Sequence, residues 1–296
     1  MNSISMINNN NQYRHIAKPA AFWYVNFKAR LRSVWLTLRT AKSCKIDVPE
    51  CSWESYKLSE VSERYNRLAS LQNYFKSNHN LTPIIGAEIE FYLSDNIYVK
   101  DLESKIGHDI KLEKGKNQYE LDLPPSSNLV TMARDIESVR KDVCFFAKQL
   151  GGNADFCSRP FPDDYGNSMH IHLNFLEDSN IEKYAQILCH YLPQYINYFL
   201  PKPQDYKRLD SKFMAPTHIA WGGNNRSLLI RIPDSLPRRL EHRLAAASAD
   251  PAEVIFAILD SIRQGILSYD NIPHIAKTHG NAFDKQYSLV PIINCI

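Results

Sequence analysis

Ile84-Ile85-Gly86-Ala87-Glu88-Ile89-Glu90-Phe91-Tyr92-Leu93 decides how this chain reads. The apolar residues and their spacing describe a β-strand. Side chains on a strand alternate between its two faces, so Glu88 and Glu90 fall on one face together. Two carboxylates at i and i+2 reach into one cavity and can face two neighbouring ions. Burying such a pair without cations is costly, because like charges held close together cannot both stay ionised. Either glutamate alone would read as part of a solvated strand face. The segments downstream make that reading hard to keep.

Glu113 and Glu120 straddle the turn Lys114-Gly115-Lys116, between expected strands at 108–113 and 117–122. Such a turn can bring both carboxylates beside the Glu88/Glu90 strand. Asn167-Ser168-Met169-His170-Ile171-His172 repeats the i, i+2 geometry with two histidines, in a strand-like run over 168–175. Asn225-Arg226-Ser227-Leu228-Leu229-Ile230-Arg231 and Arg238-Arg239-Leu240-Glu241-His242-Arg243 supply arginines and a fifth glutamate, with strands expected near 226–232 and 239–244. An oxygen-dominated ligand set with one imidazole favours Mg²⁺ or Mn²⁺ over zinc. Arginines suit phosphate and carboxylate groups, which their planar fork can grip through two hydrogen bonds. The sequence has no GxxxxGK[ST] loop and no GxGxxG, so nucleotide binding through a P-loop or a Rossmann turn is unsupported. Strands, cations and arginines together describe a site for moving a phosphoryl group from a nucleotide.

The remaining elements frame that site. A helix over about 52–78 precedes the first strand. Leu129, Met132, Ile136, Val139, Val143, Phe146 and Leu150 repeat at steps of three and four after Pro124-Pro125-Ser126-Ser127, and Gly151-Gly152 ends that helix. Further helices are expected over 180–199 and from Asp250-Pro251, where Ile255, Ile258, Ile262 and Ile266 share a face. Strands in meander-like order with a few long helices indicate an α+β fold with a largely antiparallel sheet. Within 21–45, Phe27, Leu31, Val34 and Leu38 fall at helical spacing among basic residues. That segment reads as a helix docked on its own domain or on a second subunit, in preference to one lying on a membrane surface. The chain of 296 residues suits one large domain with at most a small appendage. A net charge of only +3 gives no reason to expect a nucleic-acid partner. Six scattered cysteines without a CxxC pair argue for reduced thiols. No stretch approaches the roughly 20 apolar residues of a membrane span, and the polar start, Met1–Asn11, lacks a signal-peptide layout. A soluble, cytoplasmic protein is expected, without membrane contact.

Taken in order, these motifs resemble the glutamine synthetases and related γ-glutamyl–amine ligases, over about Ile84 to Leu259. The resemblance implies a glutamine synthetase-like catalytic domain over 81–296, whose curved, largely antiparallel sheet is flanked by helices. A helical segment over 17–80, with no evident β-grasp domain, and a disordered tail over 1–16 would precede it. It implies an ATP-dependent ligase of nitrogen metabolism that phosphorylates the glutamate γ-carboxylate and lets ammonia or another amine displace the phosphate. Residue by residue, Glu90, Glu113 and Glu120 match the ligands of one cation, and Glu88, His170 and Glu241 those of a second. His172, Asn174, Arg231 and Arg239 match ATP contacts, with Asn174 in place of the usual serine. Arg226 matches the arginine that steadies the transferred phosphoryl group. Arg208 and Arg243 match the pair that binds substrate carboxylates, and Gly166 the glycine lining the glutamate pocket. The implied partners are glutamate, ATP, an amine and two Mg²⁺ or Mn²⁺ ions. Homo-oligomer formation is left open, because the chain ends sooner after Glu241 than family members do. Met214 stands where the family has a flap glutamate that assists ammonium deprotonation, which points to a bulkier or less polar amine. The alternative is a non-catalytic relative that binds ATP or glutamate as a sensor or partner protein.

Overall fold

A computed structural model describes residues 58–295; the readings made for the tail and for 21–45 lie outside them. The quoted stretch is β1 (Pro83–Leu93), and it alternates as expected. Ile85, Ala87, Ile89, Phe91 and Leu93 are buried on one face. Glu88, Glu90 and Tyr92 stand on the other. β3 (Gln118–Ser126) and β5 (Met169–Phe175) pair antiparallel with β1 on either side. They keep the same parity: Leu121, Leu123, Met169, Ile171 and Leu173 join the apolar face. The sheet continues through β8 (Leu240–His242), β7 (Ile230–Arg231) and β6 (Trp221–Gly222), with β2 (Ile110–Leu112) at the opposite edge. A short β4 (Ala154–Asp155) pairs with the end of β1. β6 and β7 run parallel, as does the isolated Gly222–Thr278 bridge, and every other pairing between the named strands is antiparallel. The sheet is therefore mixed, antiparallel in the main, within an α+β fold.

Helices cover the apolar face. α1 (Leu58–His79) contributes Leu68, Leu71 and Phe75 to the same core as the sheet. α3 (Leu129–Gln149) buries Leu129, Met132, Ile136, Val139 and Val143, five of the seven apolar positions whose spacing predicts it. It begins at Asn128, whose side chain accepts a hydrogen bond from the Thr131 amide at 2.9 Å, and it is followed by Gly151 at φ +84°. Pro124 and Pro125, expected to introduce this helix, instead close β3. α4 (Ile181–Phe199) and α5 (Pro251–Ser268) complete the layer, and α5 packs on α1, α3 and α4. Asp250 caps α5 by accepting from the Ala252 and Glu253 amides, and it also ion-pairs with Arg64 of α1. Each fully buried side chain of Phe or Leu size in this core contributes roughly 1.5–3 kcal/mol relative to exposure.

The sequence reading missed the short elements. α2 (Val99–Ile106) is only eight residues long, stopped by Gly107 at φ +71°. The strands expected over 226–232 and 239–244 shrink to the pairs and triplets given above. Two-residue strands carry no periodicity of their own and exist only through their neighbours. Among the described residues, no helix is long and apolar enough to cross a membrane.

Candidate active site

Register, more than any single residue, builds the polar face. Glu90 lies directly opposite Glu120, and Glu88 opposite both Asp122 on one side and His170 on the other. His172 faces Glu241, which in turn faces Arg231. Residues directly opposite on antiparallel strands have Cβ atoms about 4.5–5.5 Å apart. Five strands thus deliver a row of side chains within contact range, running from carboxylates on β3 and β1 through the histidines of β5 to Glu241 on β8 and Arg231 on β7.

At its centre, Glu88 Oε2 lies 3.3 Å from His170 Nδ1 and Glu88 Oε1 lies 2.9 Å from His172 Nε2. Glu241 Oε1 is 3.7 Å from His170 Nδ1. Burial would raise the Glu88 carboxyl, but hydrogen bonds and charge from His170 and His172 hold it well below the usual carboxylate range. Ser168 joins the two halves: its amide and hydroxyl donate to Glu90 Oε2 at 2.7 and 2.6 Å, and its oxygen is 2.8 Å from His170 Nε2. With its own proton given to Glu90, the Ser168 oxygen accepts from His170 Nε2–H. That leaves His170 Nδ1 facing the gap between Glu88 and Glu241.

The carboxylates on the β3 side are crowded. Glu120 is buried, and desolvation, reinforced by Glu88, Glu90, Glu113 and Asp122, pushes its carboxyl up to about 9. Glu113, in the loop before β3, is also raised by burial and by Glu90, with Arg226 opposing. Lys111, paired with Asp122, reaches Glu120 only at 4.0 Å. Potential ligand atoms of Glu88, His170 and Glu241 lie within 4.8 Å of one another, as do those of Glu90, Glu120 and His170, and those of Glu88, Glu120 and Asp122. Hard oxygens with one imidazole, packed at this spacing, fit a divalent cation. The first group is the ligand set expected for one cation. In the second, His170 closes the cluster around Glu90 and Glu120, and Glu113 stands outside it.

The arginines ring this centre. Arg208, at the end of a 3₁₀ turn over Pro203–Arg208, is buried and donates to the Leu244 carbonyl at 2.7 Å. Burial lowers it to about 10 despite Glu90 and Asp205 nearby. Arg243 is buried as well, with Nε 3.7 Å from Glu241 Oε1. Arg208 Nε and Arg243 Nε and Nη1 are buried without a hydrogen-bond partner. A buried donor left unmade costs about 1–3 kcal/mol, more for a charged group, which makes these atoms candidates for holding an anion. Gly166 sits where a Cβ would come within 2.7 Å of the Ser158 carbonyl and 2.9 Å of Arg208 Cβ, so the chain can pass this close only as glycine. Arg239 Nε donates to His172 Nδ1 at 3.0 Å. Arg231 Nη1 donates to Glu241 Oε2 at 2.5 Å. Arg226 is exposed and acts electrostatically on Glu113 and Arg243. Asn174 lies further along β5, opposite Ile84 and half-buried. Met214 follows a 3₁₀ turn at φ +58°, 39% exposed. The neighbouring Phe213 ring packs edge-on against Tyr165, 5.2 Å away and one residue before Gly166.

The family pattern for the glutamine synthetase catalytic domain matches residues 105–289. This chain belongs to that family. Among relatives, the gamma-glutamylputrescine synthetase PuuA of Escherichia coli (strain K12) is 27% identical over 197 residues, 61% of this chain and 41% of that protein. The glutamine synthetase of Pyrococcus furiosus is 33% identical over 172 residues, 52% of this chain and 39% of that protein. Among solved structures, GmaS in complex with ADP superposes with a TM-score of 0.64 at 18% identity, covering 78% of this chain and 66% of that one. The glutamine synthetase of Plasmodium falciparum gives a TM-score of 0.59 at 17% identity, covering 69% and 56%. At those identities the likeness speaks for the fold. The chain spans about two fifths of the length of the curated relatives it matches.

Glu88 and Glu90 precede the matched span of this glutamine synthetase-family chain, so their place in the site rests on the β1 register. Several polar-face residues escaped the sequence reading. Gln118 and Asp122 follow from extending the even-numbered alternation of β3 in both directions. Gln118 Nε2 donates to the Gly166 carbonyl at 3.0 Å, and Asp122 pairs with Lys111 of β2. Ser168 was within a quoted motif, but nothing in its spacing marked it as the bridge between Glu90 and His170.

Proposed function

We propose that this chain is the catalytic region of an ATP-dependent carboxylate–amine ligase that joins glutamate to ammonia or another amine. One observation carries the proposal: carboxylates from three strands and a histidine converge on one sheet face, beside two buried arginines with unmet donors. In the proposed reaction the γ-phosphoryl group of ATP passes to the glutamate γ-carboxylate. The amine nitrogen then attacks the acyl carbon, phosphate leaves, and a γ-glutamyl amide remains.

Two Mg²⁺ or Mn²⁺ ions, when bound, would neutralise phosphate charge during the transfer. Glu88, His170 and Glu241 would hold one, and Glu90 and Glu120 with Glu113 the other. Arg208 and Arg243 supply donors for the glutamate carboxylates, against the wall made by Gly166. Arg226, exposed above Glu113, is assigned to the moving phosphoryl group, where fixed positive charge stabilises developing negative charge. His172, Asn174, Arg231 and Arg239 are assigned to the nucleotide side. His172 is oriented for this by Arg239 on one ring nitrogen and Glu88 on the other.

The acceptor end carries Met214, whose thioether cannot take a proton. The proposal therefore extends to an amine bulkier or less polar than ammonia. A cytoplasmic location belongs to the same reading. The test is ATP turnover with glutamate and a panel of ammonia, alkylamines and diamines, with γ-glutamyl products identified by mass spectrometry. ADP release dependent on both glutamate and one amine is expected. Tight ATP and glutamate binding without turnover of any amine would overturn the ligase proposal in favour of a sensor. Met214→Glu is expected to raise turnover with ammonia relative to larger amines; an unchanged ratio would remove Met214 from acceptor selection.

A further inference from the structure

Glu241 has a buried carboxylate whose two oxygens do different work. Oε1 faces His170 at 3.7 Å, in the gap proposed for a cation. Oε2 accepts from Arg231 Nη1. Arg243 Nε stands 3.7 Å from Oε1, but among the described residues Arg231 is the group that hydrogen-bonds to this carboxylate, so the orientation of Oε2 follows where the Arg231 guanidinium is held. Arginine is a long side chain with many rotamers, and β7 is only two residues long. Something must hold it.

Asn224 does so. Its Oδ1 accepts from both Arg231 Nε at 3.0 Å and Nη2 at 2.6 Å, gripping the edge of the guanidinium that faces away from Glu241. Its Nδ2 donates at 2.9 Å to Asp234 Oδ2, three residues beyond Arg231. The chain of contacts is Asp234, Asn224, Arg231, Glu241, and it spans the loops that follow β6 and β7. A carboxamide suits the middle position for a chemical reason. It offers an acceptor to the cation and a donor to the carboxylate, which aspartate cannot do without a proton and alanine cannot do at all.

We propose that Asn224 and Asp234 are positioning residues that lock Arg231 against Glu241 and so set the geometry of the Glu88/His170/Glu241 cation site. The inference rests on the reading of that triad as a cation site. Partners outside the immediate ligands typically change metal affinity or activity by about 10–100-fold when removed. Asn224→Ala and Asn224→Asp are expected to weaken Mn²⁺ binding by that order, the aspartate because it would set two carboxylates against each other. The double variant Asn224→Asp with Asp234→Asn restores the pattern with its ends exchanged: the new carboxylate at position 224 accepts from Arg231, and the new carboxamide at position 234 donates to that carboxylate. It is expected to recover most of the lost affinity, which a general loss of loop stability could not do.

The measurement is Mn²⁺ affinity of the full chain and each variant, by titration calorimetry or the free-Mn²⁺ electron paramagnetic resonance signal. Urea midpoints of the metal-free proteins separate misfolding from mispositioning. Wild-type protein that binds no Mn²⁺ would overturn the cation-site reading itself. Wild-type binding with undiminished binding by Asn224→Ala and Asn224→Asp would overturn the positioning role alone. So would a folded double variant that binds as weakly as Asn224→Asp.

Discussion

Gly166→Ala tests the close approach at the substrate side of the site in isolation from any assumption about chemistry. The added Cβ would lie 2.7 Å from the Ser158 carbonyl oxygen and 2.9 Å from Arg208 Cβ. Both neighbours are at or beside the backbone, so neither can swing aside as a flexible side-chain tip would. Ser158 is further fixed by its buried hydrogen bond to Asp205, and Asp205 in turn accepts from the Lys202 amide. Arg208 is held by the Leu244 carbonyl. Overpacking of this kind costs about 1–3 kcal/mol. In a domain of this size each kcal/mol corresponds to roughly 2–4 °C in Tm. The strain has two exits, the loop carrying Ser158 or the turn carrying Arg208. If the turn yields, Arg208 shifts and glutamate binding weakens along with stability. Urea unfolding of the metal-free protein, followed by glutamate titration of the folded variant, reads both effects. An unfolding free energy within about 0.5 kcal/mol of wild type, the range of an ordinary surface substitution, would refute the close-packing argument.

Other predictions follow the same logic. His170→Ala removes a member of two of the clusters, and calorimetric titration is expected to show Mn²⁺ binding lost; affinity equal to wild type would reassign the site. Asp250→Ala takes the cap from α5 and a partner from Arg64 together, so unfolding free energy is expected to fall by about 2–4 kcal/mol; a loss under about 0.5 kcal/mol would contradict it. Mn²⁺ at one hundred times its dissociation constant is expected to stabilise the chain by about 2.7 kcal/mol in thermal unfolding, reversed by a chelator. Glu120→Gln is expected to raise the stability of the metal-free protein and to remove most of that Mn²⁺ effect.

The fold was legible where periodicity is long. β1, β3 and β5 alternate over seven to eleven residues, and α3 keeps its apolar face through five turns; such patterns state the face as well as the element. They fail for β6 and β7, whose two residues each are strand only because β8 and Thr278 lie alongside. The candidate site divides the same way. Alternation alone put Glu88 with Glu90 on one strand face and His170 with His172 on another, and only the β1–β5 register brought the two pairs together. The roles of Ser168 and Asn224 could not be read from alternation, because each bridges residues on different elements and the contact exists only after the loops close. Glu113 marks the opposite limit. Its position in the ordered motifs assigned it to a ligand set, but it lies in a loop whose path the spacing does not determine, and it stops short of the cluster.

Two glutamates of the polar row explain why Glu120→Gln should stabilise. Glu88 is held low by two histidines, whereas Glu120 is pushed up to about 9, although both sit on one sheet face. The difference lies in neighbours. Arg231 on β7 and Arg239 and Arg243 flanking β8 gather beside the histidines of β5, and on the β3 side Lys111 is 4.0 Å from Glu120, half-exposed and already paired with Asp122. Four other carboxylates act on Glu120. Exchanging it for an amide of the same shape removes the like-charge repulsion and keeps the packing, and relief of strain at a functional site is commonly worth about 0.5–2 kcal/mol. The same exchange removes an anionic oxygen from the proposed ligand set, so the gain in the metal-free protein should be matched by loss of Mn²⁺ stabilisation. Urea unfolding with and without Mn²⁺ separates the terms. A metal-free Glu120→Gln protein less stable than wild type would mean that the carboxylate row is balanced by groups within the fold, and the case for a missing cation on the β3 side would fall with it.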